Sequence, residues 1–146
     1  METLVLTPET LLPHRAPMLL IDRVVETDYL TSIVTETTVK KESVFLEGHF
    51  PNYPLLPGVI LIEMMFQAGG ILMRLSRENS IESTAGNTLG KAVKINSATF
   101  FKEVFAGSVV KVSATKKNSI FKFSTFNVVA EVGGVKVCEA EITVSL

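Results

Sequence analysis

Val59-Ile60-Leu61-Ile62-Glu63-Met64-Met65-Phe66-Gln67-Ala68-Gly69-Gly70-Ile71-Leu72-Met73 is the stretch whose reading decides the fold. Nearly every residue in it is apolar, on every face, and a helix apolar all round is buried in a core or a membrane. Pro57, just upstream, suits a first helical position, where a missing N–H costs nothing. Glu63 and Gln67 interrupt the run at i, i+4 spacing and so share one face. A carboxylate on a buried helix must be paired or put to use. The preceding segment, Gly48-His49-Phe50-Pro51-Asn52-Tyr53-Pro54-Leu55-Leu56, reads as stiff and extended. Prolines at 51, 54 and 57 fix φ and push Phe50, Tyr53 and Leu56 out of the α region. That loop presents His49 close to the helix start.

The chain has 146 residues, the size of one domain, and 1–146 is read as a single unit. It is 47% apolar with a mean hydropathy of +0.35, enough to bury a full core. With 14 basic against 15 acidic residues there is no basic surplus to attract nucleic acid. One cysteine, Cys138, rules out an internal disulfide and suits a reducing cytoplasm. The first residues lack the basic start and long apolar run of a signal peptide. Leu55 to Met73 is about as long as a membrane span. Glu63 would then lie near the bilayer centre, at a cost of about 3 kcal/mol. A helix buried in a soluble protein is the better reading, without membrane insertion. His14 and His49 lie far apart in sequence and suggest no metal site, and no cofactor is called for.

Thr7-Pro8-Glu9 reads as a short helix start. Met18 to Glu26 and Ser32 to Lys40 read as strands around a turn at Asp28-Tyr29-Leu30, and Ser43 to Leu46 as a single helical turn. After the long helix, Ser76 to Gly90 is a polar loop and Thr88 to Val104 a third strand. Val109 to Thr115 and Ile120 to Val132 follow, with a turn at Lys116-Lys117-Asn118-Ser119. Gly133-Gly134 signals a hairpin. In the last strand Cys138, Ala140, Ile142, Val144 and Leu146 share one face. Four strands in hairpin succession behind one apolar helix imply an α+β domain: an antiparallel sheet curled around a central helix. One small sheet leaves part of such a helix bare, and a second copy would bury the rest. The phenylalanines at 100, 101, 105, 121, 123 and 126 are expected mostly in the core, with some lining an acyl tunnel.

Two motifs now match a family. Leu12-Pro13-His14-Arg15-Ala16-Pro17-Met18-Leu19-Leu20-Ile21-Asp22-Arg23 resembles the opening motif of FabZ-type 3-hydroxyacyl-[acyl-carrier-protein] dehydratases. Gly48-His49-Phe50-Pro51, Pro54, Pro57-Gly58-Val59, Ile62-Glu63 and Gln67-Ala68-Gly69-Gly70 resemble that family's active-site motif, in the same order and spacing. The resemblance implies the hot-dog fold, a curved antiparallel sheet wrapped around one helix. It implies an acyl carrier protein bearing a 3-hydroxyacyl thioester as substrate, and homodimers commonly assembled into hexamers. It makes His49 the catalytic histidine and Glu63 the catalytic carboxylate, supplied by opposite subunits. Glutamate at position 63 marks the FabZ branch; the isomerising FabA branch has aspartate there. Phe101-Lys102-Glu103-Val104-Phe105-Ala106-Gly107-Ser108 departs from the family, which carries a basic, proline-containing strand end followed by Pro-Gly-Asp.

Elimination of water from a 3-hydroxyacyl thioester needs a base, an acid and a charge stabiliser. An imidazole can be neutral at pH 7 and so suits the base, hence His49. Glu63 suits the acid, since Ile62, Met64 and Met65 around it would favour its protonated form. The N–H of Gly58 at the helix start suits the thioester oxygen. Gln67, one turn beyond Glu63, suits orienting the carboxylate or a water in the substrate-binding site. His14 reads as a tie between the N-terminal link and the core, and Cys138 as inert. The competing readings are a hot-dog thioesterase and a non-catalytic acyl-thioester-binding domain.

Overall fold

The computed structural model describes residues 6–50, 52–78 and 90–145. The elements run α1 (Pro8–Leu11), β1 (Arg23–Thr27), β2 (Ser32–Thr38), α2 (Gly58–Glu78), β3 (Lys91–Phe100), β4 (Val109–Ile120), β5 (Phe123–Val132) and β6 (Val135–Ser145). All six strands form one antiparallel sheet in the order β1-β2-β4-β5-β6-β3. This is the hot-dog arrangement: α2 packs against β2, β3, β4, β5 and β6. Met65, Ala68, Ile71 and Leu72 of α2 are fully buried. Each large side chain so buried stabilises the fold by about 1.5–3 kcal/mol. Gly69 lets the sheet come close, because a Cβ there would lie 3.3 Å from the Phe126 ring.

The length and hydropathy of α2 would suit a membrane span, and 61% of that apolar window is buried inside the protein. The helix starts at Gly58 rather than Pro57, whose carbonyl accepts the Ile60 N–H at 2.9 Å. It runs on through Ser76 and Arg77, which the sequence assigned to a loop. The rest of that loop, 79–89, lies outside the described residues, as do Pro51 and Leu146.

The Gly133-Gly134 hairpin is present, with φ of +58° and +77° in the left-handed region that glycine adopts freely. Cys138, Ala140, Ile142 and Val144 share the buried face of β6 as their alternation predicts. Burial pushes the Cys138 thiol up to about 11, with Glu139 adding to the shift, so the sulfur stays protonated and inert.

Other expectations are corrected. The first strand starts at Arg23, not Met18, because the Met18 and Leu19 N–H groups turn back to the Arg15 carbonyl and Leu20 is held by side chains instead of by a strand. Gln67 takes the Leu20 N–H at 2.9 Å and Thr37 donates to the Leu20 carbonyl at 2.6 Å. Lys116 to Ser119 is no turn; β4 continues through it with an irregularity between Lys116 and Asn118, and the chain reverses at Phe121-Lys122. The last four strands are not in hairpin succession either. Only β4, β5 and β6 form a meander, whereas β3 crosses over to pair with β6. Of the six named phenylalanines only Phe126 is fully buried; Phe100, Phe101, Phe121 and Phe123 are exposed at the end of β3 and at the β4–β5 reversal. Every residue of β3 is exposed, including Val93, Ile95 and Phe100, each at 50%.

Candidate active site

His49 sits in the link between β2 and α2, and hydrogen bonds fold that link back on itself. The His49 N–H donates to the Leu46 carbonyl at 3.1 Å, and the Leu55 N–H donates to the His49 carbonyl at 3.2 Å. The ring stacks on Phe50 with centroids 4.4 Å apart. Nδ1 lies 3.0 Å from the Leu55 carbonyl oxygen. A carbonyl only accepts, so Nδ1 carries a proton, and in the neutral ring Nε2 is the nitrogen with the free lone pair. The link is fastened to the β3–β4 connection. The Leu56 N–H donates to the Val104 carbonyl at 2.7 Å, Leu55 bridges to Phe105, and the Tyr53 hydroxyl donates to Glu103 at 2.5 Å. Glu103 holds the Tyr53 hydroxyl above its ordinary range, mainly through that hydrogen bond.

Gly58 is the first residue of α2, and a first-turn N–H has no acceptor inside its helix. A Cβ there would lie 2.7 Å from Cε1 of Phe100, so any side chain would have to displace that ring.

Glu63 lies on the same helix, with a side chain 27% exposed. Ile62, Met64 and Met65, its neighbours in sequence, are all buried in the core. Its neighbours in space are polar instead. Gln67 Nε2 donates to Oε1 at 3.3 Å, and His14 Nε2 lies 3.5 Å from the same oxygen. The apolar shell expected from the sequence is therefore not what surrounds the carboxylate. Gln67 is 1% exposed and fully engaged: Nε2 also donates to the Met18 carbonyl at 2.7 Å, and Oε1 accepts from Leu20. It anchors the 18–20 segment and aims Glu63.

Glu63, Gln67 and His14 line a cleft of about 440 Å³ between α1, α2 and the start of β3, together with Arg74 and Arg77. His49 is not among its described lining residues; its ring hydrogen-bonds to Leu55 and stacks on Phe50. The structure thus brings together Glu63 and Gln67 but does not bring His49 to Glu63 within one chain. His14 is the residue that sequence reasoning undervalued, and its contact with Glu63 spans two motifs that no local pattern connects. Among the described residues no cluster of three or more His, Cys, Asp or Glu side chains could hold a metal.

The FabA-like domain family matches residues 12–141. The 3-hydroxyacyl-[acyl-carrier-protein] dehydratase FabZ of Xanthomonas euvesicatoria is 38% identical over 92% of this chain and 86% of its own length. The same enzyme of Xylella fastidiosa M23 is 36% identical over 92% of this chain and 82% of its own. Among solved structures, a chain of the dehydratase heterocomplex ApeI:P from Xenorhabdus doucetiae superposes with a TM-score of 0.81 at 25% identity, covering 96% of this chain and 90% of that one. The PaaI protein of the E. coli phenylacetic acid degradation operon, at 14% identity and a TM-score of 0.63, shares the fold alone. On the span of the match, the identities and the hot-dog architecture together, the chain belongs to the FabA-like family.

Proposed function

We infer that this protein is a 3-hydroxyacyl-[acyl-carrier-protein] dehydratase of fatty acid or related lipid synthesis, a hydro-lyase working as one hot-dog domain over 1–146. The named activity of its FabZ relatives supports this. The observation that carries the mechanism is the Nδ1–Leu55 hydrogen bond, which leaves Nε2 of His49 as a base. Nε2 takes the proton from the carbon beside the thioester carbonyl. The Gly58 N–H and the helix dipole hold the oxygen on which charge develops. Glu63, aimed by Gln67, takes up a proton before each turnover and passes it to the departing hydroxyl. The C–H and C–O bonds break, the double bond forms and water leaves.

The site is completed by a second copy of the chain, which brings its His49 to this Glu63. The bare β3 edge, with Val93, Ile95 and Phe100 half exposed, suits strand pairing between copies. Dimers of this kind can assemble further into hexamers. The partner is an acyl carrier protein, the location is the cytoplasm that suits an unpaired cysteine, and no cofactor is required.

The test is hydration of an enoyl thioester followed by absorbance. His49→Ala lowers the rate by about a hundredfold to ten-thousandfold. Wild-type rates in that variant would overturn the mechanism. Release of free thiol from an acyl thioester would point instead to a thioesterase.

A further inference from the structure

Glu63, Gln67, Gly70, Arg74 and Arg77 follow one another at steps of four, three, four and three residues, so they form a single stripe along α2. All five line the same cleft. The stripe is acidic at one end and basic at the other. Gly70 opens its middle, with Leu12 the nearest side chain to its missing Cβ at 3.5 Å. At about 1.5 Å per residue, Glu63 and Arg74 are roughly 16 Å apart along the helix axis.

We propose that the Arg74–Arg77 end of this cleft is an anion subsite, which binds a phosphate or carboxylate carried on the acyl thioester roughly 16 Å from the reacting carbon. This rests on the dehydratase reading, which puts the reacting carbon at Glu63. Paired guanidiniums present planar forks of N–H donors that match a carboxylate or phosphate oxygen pair. Both arginines are also engaged within the chain, and five N–H donors on each can serve a second partner. Cations in the last turns of α2 also face the negative end of its dipole, which favours keeping them there. An extended chain covers roughly 1.2 Å per bond, so the anion sits about thirteen bonds from the reacting carbon. Two groups fit that reach. One is the phosphate at the far end of the thiol arm on which a carrier protein holds its acyl group. The other is a carboxylate at the far end of the acyl chain itself.

Calorimetry with unreactive saturated thioesters tests the subsite without turnover. Hexadecanoyl-pantetheine is the neutral probe; hexadecanoyl-phosphopantetheine and hexadecanedioyl-pantetheine carry the anion on the arm and on the chain. One anionic probe binds wild-type protein about tenfold tighter than the neutral one, and which of the two does so identifies the source. The preference falls to parity in R74Q/R77Q and shrinks in about 1 M salt. Equal binding of all three probes to wild type, or a preference that survives R74Q/R77Q, overturns the proposal. Should the double variant fail to fold, the wild-type salt series decides, and a preference insensitive to salt overturns the proposal. Turnover of the matching enoyl thioesters is measured separately. A protein that prefers the anion but hydrates none of them keeps the subsite and loses the dehydratase reading.

Discussion

Nε2 of His14 lies 3.5 Å from Oε1 of Glu63, so the first motif of the chain touches the acid carried by the second. Nδ1 of the same ring is buried and has no hydrogen-bond partner among the described residues. A ring held this way limits the orientations open to the carboxylate. His14→Ala is expected to lower kcat by about tenfold with KM nearly unchanged. Steady-state hydratase kinetics check this, and a rise in KM alone would assign His14 to substrate binding.

Because His49 and Glu63 are not joined within one chain, two inactive variants should rescue each other. In a mixed dimer of His49→Ala and Glu63→Gln subunits, one site carries both lesions and the other carries neither. An equal mixture, unfolded and refolded together, recovers roughly a quarter of wild-type activity, given symmetric pairing. No recovery in a mixture that has re-formed dimers would place both groups in one subunit.

Gln67 satisfies the Leu20 N–H and the Met18 carbonyl as well as aiming Glu63. Gln67→Leu leaves two backbone groups unpaired against α2. The expected loss is about 3 kcal/mol, or a Tm lower by roughly 10 °C. Gln67→Glu keeps the acceptor for Leu20 but sets a second carboxyl beside Glu63. Thermal melts of the two variants separate the anchoring role from the aiming role.

Gly58→Ala forces a Cβ to within 2.7 Å of the Phe100 ring. Overpacking of this kind costs about 1–3 kcal/mol. Removing the ring should relieve it, so Gly58→Ala combined with Phe100→Ala is expected to lose less stability than the single losses summed. A double-mutant cycle by urea unfolding measures the difference, and simple additivity would refute the contact.

Asp28 closes the β1–β2 turn. The Thr31 hydroxyl, then the N–H groups of Leu30, Ser32 and Thr31, hold its carboxyl well below the usual range. A depressed carboxyl stabilises the fold above its unfolded pKa of about 3.9, and that contribution is lost as pH falls below this value. Asp28→Asn therefore melts below wild type at pH 7, and the gap narrows from about pH 4 downward. Paired melts at pH 7 and pH 3 check the sign; a constant gap would refute it.

Local pattern carried the reading of the long helix, the Gly133-Gly134 hairpin and the buried face of β6, since each depends on neighbours in sequence. It failed where the deciding partner is distant. Lys116-Lys117-Asn118-Ser119 has turn chemistry, yet it pairs with β5. The true reversal uses Phe121 at a φ of +56°, a residue that gives no turn signal. Thr88 to Val104 was legible as a strand, but its pairing with β6 across two intervening strands was not. At the site, the motifs named His49 and Glu63, while the polar surroundings of Glu63 depend on the fold. The arginine end of the cleft was written in the four-three spacing from Glu63, and was masked by the apolar residues between.

Pairing of the bare β3 edge with a second copy would make concentration a variable of this protein's chemistry. If the catalytic pair is divided between copies, a lone subunit is both unstable at its edge and inert at its cleft. Activity per chain should then fall on dilution, and Tm should fall with it, because pairing stabilises the folded state by mass action. Expression level would act as a switch on turnover, without any effector bound at a separate place.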